Sequence, residues 1–428
     1  MKPRILTYIA AMTVFAALVV PIRPAAQDQQ ARHRKQTYYA VKELSTLGGA
    51  ESGANTITDN GWAEGWAELP DGQTEHAVLW RGQTMTDLGT LGGPSSAVSF
   101  PVHDDRGVIV GNSETSNTDP LGEDFCGFAA GTGMICLGFH WQDGVMTAMP
   151  TLGGNNAWST GANNRGQAIG IAENSTQDPS CIPPQVLDYE AVIWGPKPGE
   201  IHALPPLSGD SVSGATAIND DGEVVGASGS CAPVSIDSPH AVLWQHGSVT
   251  DLGSLGGVTN NLALGINNGG EVVGISDLAG DATFHAFLWT KDEGMRDLGT
   301  LPGDFLSFAN TLNEEGQIVG QSCDESGNCR AFLWQDGVMT DLNTLIPPDS
   351  SLYLTDANDI NDHGEIVGYA FDQSTGDTPG FLAVPAHCGD DCEANSSTQK
   401  VILPETVRAQ LRKRVPFGRF GVGVMKQQ

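Results

Sequence analysis

Positive charge is scarce in this sequence of 428 residues. Its 21 lysines and arginines are outnumbered by 51 aspartates and glutamates, so the formal net charge is −30. A surface with this charge repels nucleic acid and anionic membranes, and we expect neither to be a partner. The same charge favours solubility and attracts cations or a basic partner.

Long apolar stretches are absent after the N-terminus, which argues against any further membrane-spanning helix. Lys2 and Arg4 precede an uncharged apolar run over 5–20, and Ala25 and Ala26 offer a cleavage site. This pattern is typical of a secretory signal peptide. A membrane anchor is the alternative, but the run is short for a span of about 20 residues. We predict a signal peptide over 1–26, a linker over 27–38 and a protein that is secreted, periplasmic or on the cell surface.

Motifs of catalysis and cofactor binding are also missing. The sequence contains no GxSxG, no HExxH, no EF-hand spacing and no glycine-rich phosphate loop before a helix. We therefore predict no catalytic residue, no catalytic metal and no cofactor. Acidic loops over 119–124 and 277–281 could hold a structural Ca²⁺ through oxygen ligands, with solvated acidic loops as the alternative.

Glycine, in contrast, is abundant, at 54 residues. One glycine-containing phrase recurs seven times along the chain. The copies are ELSTLGG (43–49), DLGTLGG (87–93), AMPTLGG (148–154), ALPPLSG (203–209), DLGSLGG (251–257), DLGTLPG (297–303) and DLNTLIP (341–347). Successive copies begin 44–61 residues apart, a spacing that indicates a repeat architecture.

Two further phrases accompany each copy. A turn phrase follows it, such as AINDDGEVVG (217–226) or DINDHGEIVG (359–368), and a closing phrase ends it, such as HAFLW (285–289) or GFLAV (380–384). These short β-branched or aromatic segments between Gly, Asn and Asp predict strands joined by tight turns. Glycine supplies the positive φ of the turn, and asparagine is expected to satisfy its own turn. The asparagines are Asn163, Asn219, Asn267, Asn313 and Asn361.

Four short antiparallel strands in a repeat of roughly 45 residues are typical of a propeller blade. Seven copies therefore predict an all-β fold, a seven-bladed β-propeller of four-stranded antiparallel blades over 39–385. Pairing of GFLAV with the segment at 39–44 would join the N- and C-terminal strands, close the ring and hide the sheet edges. A parallel β-helix is the alternative, against which the tight hairpins argue. The tail over 386–428 is expected to be disordered.

The three phrases, recurring in this fixed order, resemble the HAF extracellular repeat family of exported bacterial proteins. The resemblance covers about 39–384. The second to fourth copies depart from the pattern, because long insertions interrupt them. The resemblance implies an exported repeat protein and implies no particular activity or ligand.

Strand parity places the loops of each blade on two faces. We call the side with the Asn-x-x-Gly turns the turn face, and the side with the TLGG loops the loop face. The segments between second and third strands also lie on the loop face and vary most in length, being longest over 112–137 and 171–190. Variable loops on a constant scaffold usually carry binding, so we predict that the loop face binds the ligand. Tolerated insertions are the alternative, and Trp158, which follows a TLGG loop, is a candidate for contacting the ligand.

The sequence has eight cysteines, and an even number in an exported chain predicts disulfides. Reduced or metal-bound cysteines are the alternative, but no histidine pair accompanies them at zinc-finger spacing. Two pairs are expected to constrain single loops, one to bridge neighbouring blades and one to close a loop in the tail. In that order they are Cys126–Cys136, Cys323–Cys329, Cys181–Cys231 and Cys388–Cys392.

Histidine and tryptophan recur at fixed positions of the repeat, which predicts structural roles rather than metal or glycan binding. The histidines are His76, His140, His240 and His285. The tryptophans are Trp80, Trp141, Trp194, Trp244, Trp289 and Trp334.

Together these patterns predict a monomeric, exported binding or scaffold protein whose partner is a protein or a glycan. A hydrolase or lyase that uses carboxylates near the central channel is one alternative. A structural surface protein without a discrete ligand is another. Propellers host binding and catalysis alike, and binding is favoured because no single copy of the repeat stands out as a catalytic site.

Overall fold

Each repeated phrase contributes strands, and the strands form antiparallel four-stranded sheets. The computed structural model describes residues 37–101, 104–128, 131–179, 181, 183–232, 235–386 and 400–414. These residues form 28 strands in seven sheets. The predicted seven-bladed propeller is therefore confirmed, and the parallel β-helix is wrong because the paired strands are antiparallel. The predicted signal peptide and residues 27–36 of the linker lie outside the described residues.

The blades follow one another along the chain. Blade 1 contains β2 (Ser52–Ile57), β3 (Trp62–Glu68), β4 (Glu75–Arg81) and β5 (Thr84–Asp87). Blade 2 contains β6 (Gly92–Ala97), β7 (Ile109–Thr118), β8 (Met134–Gln142) and β9 (Val145–Ala148). Blade 3 contains β10 (Gly153–Ala162), β11 (Ala168–Gln177), β12 (Leu187–Trp194) and β13 (Ile201–Leu204). Blade 4 contains β14 (Val212–Ile218), β15 (Val224–Ala232), β16 (Ser235–Gln245) and β17 (Ser248–Asp251).

The remaining blades have the same strand order. Blade 5 contains β18 (Gly256–Ile266), β19 (Val272–Leu278), β20 (Phe284–Thr290) and β21 (Gly294–Gly299). Blade 6 contains β22 (Leu306–Leu312), β23 (Ile318–Cys323), β24 (Cys329–Gln335) and β25 (Val338–Asp341). Blade 7 contains β26 (Leu352–Ile360), β27 (Ile366–Asp372), β28 (Gly380–Ala386) and, as its outer strand, β1 (Tyr38–Glu43).

The N- and C-terminal strands close the ring as predicted. β1 pairs antiparallel with β28, from Tyr38 opposite Ala386 to Glu43 opposite Phe381. One blade is therefore built from both ends of the repeat region. This pairing covers the edge of β28 with backbone hydrogen bonds.

The first strands of neighbouring blades contact each other around a central axis. A β-bulge interrupts most of these strands, and an Asn or Thr at the bulge donates a hydrogen bond of 2.8–3.0 Å to a carbonyl of the next blade. These bonds join the blades directly at the axis. They run from Asn55 to Val98, Thr160 to Ala215, Thr216 to Ala263, Asn310 to Ala357 and Asn358 to Ala54.

The glycine that ends the VVG part of the turn phrase faces the bulged strand. A Cβ atom on Gly226 would overlap the carbonyl oxygen of Gly214, and one on Gly274 would overlap that of Leu262. The equivalent glycines meet the same obstacle, at Gly65, Gly111, Gly170, Gly320 and Gly368. Glycine is required here because two backbones approach each other closely. A positive φ is not the reason.

The apolar core lies largely between neighbouring blades. Val225 and Leu243 of blade 4 pack with Ala263, Ile266 and Phe287 of blade 5, for example. Three tryptophans of the closing phrase also join their blades to the preceding TLGG-type segment, through an indole N–H bond of 2.8–3.1 Å. The structural role predicted for them is confirmed at Trp80, Trp194 and Trp244, which donate to Ser45, Pro150 and Pro205.

Part of the predicted disordered tail is docked on the loop face. Leu403 and Val407 are buried against Tyr353 and Phe371 of blade 7, and Lys400 forms ion pairs with acidic residues of blade 6. Helix α1 (Glu405–Arg414) begins within this segment. Residues 400–409 therefore differ from the prediction, because two apolar side chains and a lysine contact partners on the propeller.

No helix in the described part of the chain is long and apolar enough to span a bilayer.

Candidate binding sites on the two faces

The asparagine of the turn phrase has two roles. Asn219 Oδ1 accepts from the backbone N–H groups of Asp221 and Glu223, so it satisfies its own turn as predicted. Its Nδ2 also donates to the carbonyl of Asn267 in the next blade, a contact that the sequence did not predict. The same inter-blade bond, of 3.0–3.4 Å, recurs from Asn163 to Asn219, Asn267 to Asn313, Asn313 to Asn361 and Asn361 to Thr58.

The next residue of each turn forms a closed circuit around the axis. Its backbone N–H donates to the side-chain oxygen of its counterpart in the following blade, at 2.8–3.0 Å. The circuit passes through all seven blades and returns to its start. Its members, in order, are Asp59, Asp105, Asn164, Asp220, Asn268, Glu314 and Asp362.

This circuit lines an opening on the axis, which we call the channel mouth; its empty space of about 600 Å³ is partly open to solvent. Five of its seven side chains are carboxylic acids, and Asn164 and Asn268 fill the other two positions. An aliphatic collar lies below the polar rim, formed by Ile57, Ile218, Ile266, Leu312 and Ile360. The channel mouth therefore combines negative charge at the rim with an apolar wall.

A smaller cavity lies deeper in the channel, and we call it the inner chamber. Asn55, Asn310 and Asn358 line it together with Ser99, Phe100, Pro101 and Leu264. It has space for roughly one water-sized group. Asn310 is 7% exposed, and its Oδ1 accepts no hydrogen bond from the described residues.

The loop face carries the three disulfides that the structure describes. Cys126–Cys136 and Cys323–Cys329 each constrain one loop, and Cys181–Cys231 joins blade 3 to blade 4. These pairings confirm the three predictions made for them. Cys388 and Cys392 lie outside the described residues, so their pairing stays a prediction.

A buried polar network joins the inserted loops of blades 2 and 3. Glu123 Oε1 accepts from the backbone N–H groups of Val186 and Leu187 at 2.7 and 2.9 Å. Gln185 Nε2 donates to Glu123 at 3.1 Å and to Glu173 at 2.8 Å. Burial and then the neighbouring Glu123 charge raise the pKa of Glu173 to about 8, and burial also raises the pKa of Glu123. Two carboxyl groups this close favour one shared proton.

Acidic residues near the end of the second strand have a repeated structural role on the loop face. In four blades such a carboxylate accepts a backbone N–H of the segment after the TLGG loop, at 2.9–3.2 Å. Part of the acidic excess therefore serves the fold. The bonds run from Ala50 to Glu68, Ser95 to Glu114, Asn156 to Glu173 and Asn260 to Asp277.

The acidic loops proposed for calcium also bind protein N–H groups. Asp119 Oδ1 accepts from Leu121 and Glu123. Among the described residues, the trio of potential metal-ligand atoms that lie within 4.8 Å of one another is that of Asp178, Cys181 and Cys231. The two sulfurs of that trio form a disulfide. Structural calcium stays a prediction.

Comparison with known proteins finds similarity in fold alone. The chain is similar to an acylaminoacyl peptidase of Pyrococcus horikoshii, with 11% identity and a TM-score of 0.44 over 81% of this chain and 51% of that chain. It spans about half the length of that peptidase. It is also similar to virginiamycin B lyase from Staphylococcus aureus, with 11% identity and a TM-score of 0.43 over 81% of this chain and 99% of that chain. No family model matches the sequence, and no curated protein matches it.

Trp158 and the repeated histidines do not line the channel mouth, whereas four of the turn asparagines do: Asn219, Asn267, Asn313 and Asn361. Trp158 is 4% exposed and its ring packs edge-on against Phe100 at 5.8 Å, within an apolar cluster. Its contact with a ligand stays a prediction. Three of the repeated histidines pair through Nδ1, at 2.9–3.0 Å, with the aspartate of the adjacent outer strand. These are His76 with Asp87, His240 with Asp251 and His285 with Asp297.

The channel mouth is the feature that sequence reasoning missed. The turn phrases contain a signal for the channel mouth. The residue after the asparagine position is acidic in most copies, as at Asp220 and Asp362. Within a single turn phrase, an acidic residue at this position is indistinguishable from an ordinary solvated turn residue. Only the ring places them around a single cavity.

Proposed function

We propose that this chain is an exported binding or scaffold protein of the HAF extracellular repeat type, and that its loop face holds a protein or glycan. The observation that carries the proposal is the Cys181–Cys231 disulfide between neighbouring blades. It fixes two inserted loops relative to each other, and a preorganised surface loses less entropy on binding. Disulfides also persist in the oxidising environment outside the cytoplasm.

Exposed apolar side chains on the loop face support this proposal. Leu121, Val258 and Phe305 are 39%, 69% and 38% exposed there. Apolar side chains that are exposed to water become more stable when a partner buries them. The turn-face hairpins offer a matched comparison, since Val145 and Val338 are 62% and 61% exposed.

The test is a glycan array together with a pull-down from extracellular protein, using the full mature chain. We expect Leu121→Asp with Val258→Asp to weaken the captured interaction by at least about tenfold, because each aspartate places a charge in a contact that the partner would bury. Val145→Asp with Val338→Asp adds the same two charges to the turn face and is expected to bind as the wild type does. An equal effect of both pairs contradicts the loop-face assignment. Turnover of a polysaccharide or lactone that one carboxylate substitution abolishes would instead show an enzyme.

A further inference from the structure

The two cavities of the channel follow each other along the axis. Four first strands contribute a residue to the collar of the channel mouth and, two positions earlier, a residue to the inner chamber. The two residues of each pair belong to one strand, so the inner chamber follows the collar along the axis, and the rim residue lies in the turn beyond the strand end. The pairs are Ile57 and Asn55, Ile266 and Leu264, Leu312 and Asn310, and Ile360 and Asn358.

The rim carries negative charge that the nearby arginines do not neutralise. Arg106 and Arg165 follow two rim residues in the chain, but they pair with Asp104 and Asp221. Among the described residues, no ion pair involves the rim aspartates at 59, 105, 220 and 362. The hydrogen-bond circuit holds one oxygen of each rim side chain, so the charges are fixed around the opening.

A second, independent feature lies at the bottom of the channel. Asn310 is more than nine-tenths buried and lines the inner chamber, and its Oδ1 lacks a donor among the described residues. Leaving a buried acceptor without a donor costs about 1–3 kcal/mol. A ligand that brings an N–H group into the chamber removes this cost.

We propose that the channel binds an unbranched alkylammonium group entering from the turn face. The ammonium head donates to Asn310 Oδ1 in the inner chamber, the alkyl stem lies within the aliphatic collar, and the rim acids attract the cation and hold any second ammonium. An ammonium head fits a chamber with space for one water-sized group, whereas a planar guanidinium is too wide. A hydrated metal ion is a poor match for an aliphatic collar.

The surroundings of Asn310 also favour a cation. Its Nδ2 donates to Asp356 Oδ1 at 2.8 Å, and burial raises the pKa of Asp356 to about 7. A positive head group beside Asn310 places an opposite charge close to this buried carboxyl. Free polyamines and lysine side chains of a partner protein share the required chemistry, and the experiment separates them.

The test is titration calorimetry of the full mature chain with spermidine and, separately, with a terminally blocked lysine peptide. We expect at least one of the two ligands to bind. Binding of spermidine alone would indicate that the natural ligand is a free polyamine, and binding of the peptide alone would indicate a lysine side chain of a partner protein. Asp59→Asn with Asp220→Asn is expected to weaken binding by at least about tenfold and to reduce its salt dependence. Asn164 and Asn268 already make the same circuit bond, so this change removes charge and keeps the bonds of the circuit, with loss only of the 3.3 Å bond from Asn164 Nδ2 to Asp220 Oδ2.

Asp221→Asn with Glu315→Gln is the control, because it removes two charges from equivalent turns, at positions outside the lining of the channel mouth. Equal weakening by this control contradicts the proposal, as does the absence of binding to either ligand at about 1 mM and low salt. Calcium that binds at the rim without competing with amines also contradicts it.

Asn310→Leu tests the inner acceptor and is expected to abolish amine binding, while the loss of its bonds to Asp356 and Ala357 lowers the melting temperature. If this variant unfolds, Asn268→Lys carries the test, because it places a cation on the exposed rim and is expected to abolish binding. The loop-face variants Leu121→Asp and Val258→Asp are expected to leave amine binding unchanged. Failure of this inference is therefore distinguishable from failure of the proposed function.

Discussion

Glycine has two physical roles in each repeat. In the turns, Gly222, Gly270 and Gly316 have φ values of 80°, 75° and 71°, which side chains with a Cβ rarely adopt. In the VVG strand, Gly226 allows two backbones to approach at the bulge. The sequence predicted the first role because a turn signal is local. The second depends on the neighbouring strand and could not be derived from the phrase itself.

Substitution of Gly226 by alanine is expected to lower the free energy of unfolding by about 2–3 kcal/mol, because the new Cβ overlaps a backbone carbonyl that cannot rotate away. Gly161→Ala is the matched control, since its Cβ would meet its nearest neighbour at an ordinary 3.5 Å. The measurement is chemical denaturation of the wild type and both variants. Equal losses of stability in the two variants would refute the steric explanation.

The structure of the inserted loops depends on contacts with neighbouring blades. The Cys181–Cys231 pairing was predictable, because equivalent positions in adjacent repeats must lie close in a ring. The Glu123–Gln185–Glu173 network was not, because its members come from two blades and approach only after folding. In the sequence these residues are indistinguishable from the solvated acids around them.

The paired carboxyls predict a pH dependence of stability. Glu173 has a pKa raised from 4.5 to about 8 in the folded state, so the folded state binds more protons between these values. Its contribution is complete below pH 4.5 and is lost as the pH rises through 8, with a slope of at most about 1.4 kcal/mol per pH unit.

Glu173→Gln is therefore expected to flatten the decline in melting temperature between pH 5 and pH 8. Glu68→Gln, at the equivalent position of blade 1, is the control and is expected to decline as the wild type does. Thermal denaturation across this pH range measures both. A Glu173→Gln variant with the wild-type slope would show that the pair does not hold the extra proton.

At the scale of the whole molecule, β1 makes the ring continuous. It completes blade 7 by pairing with β28, whereas the other junctions between blades are held by side chains and by the bonds near the axis. Each of those junctions is also connected by the chain itself. The junction of blade 7 with blade 1 has such side-chain bonds too, from Asn358 to Ala54 and from Asn361 to Thr58, but there the pairing of β1 with β28 takes the place of a covalent link.

Two circular permutants test this closure. Both join Ala386 to Tyr38, which are register partners and so need only a short linker. Opening the chain at Gly82, in the β4–β5 hairpin, keeps one blade shared between the ends. Opening it at Gly89, between blades 1 and 2, leaves every blade closed on itself. We expect the second permutant to melt at least about 5 °C below the first, a difference of a few kcal/mol. Equal melting temperatures would show that strand pairing does not hold the ring closed.

The sequence by itself determined the repeat number, the strand order, the turn geometry, the closing pair of strands and three disulfides. It could do so because each of these follows from local patterns copied seven times. Only the tertiary structure decided which polar side chains meet at the axis, as in the circuit through Asp59, Asp220 and Glu314. It also decided where the C-terminal segment docks. These contacts join residues from different repeats or from the tail, and their distances are set by ring closure rather than by the spacing of residues in the chain.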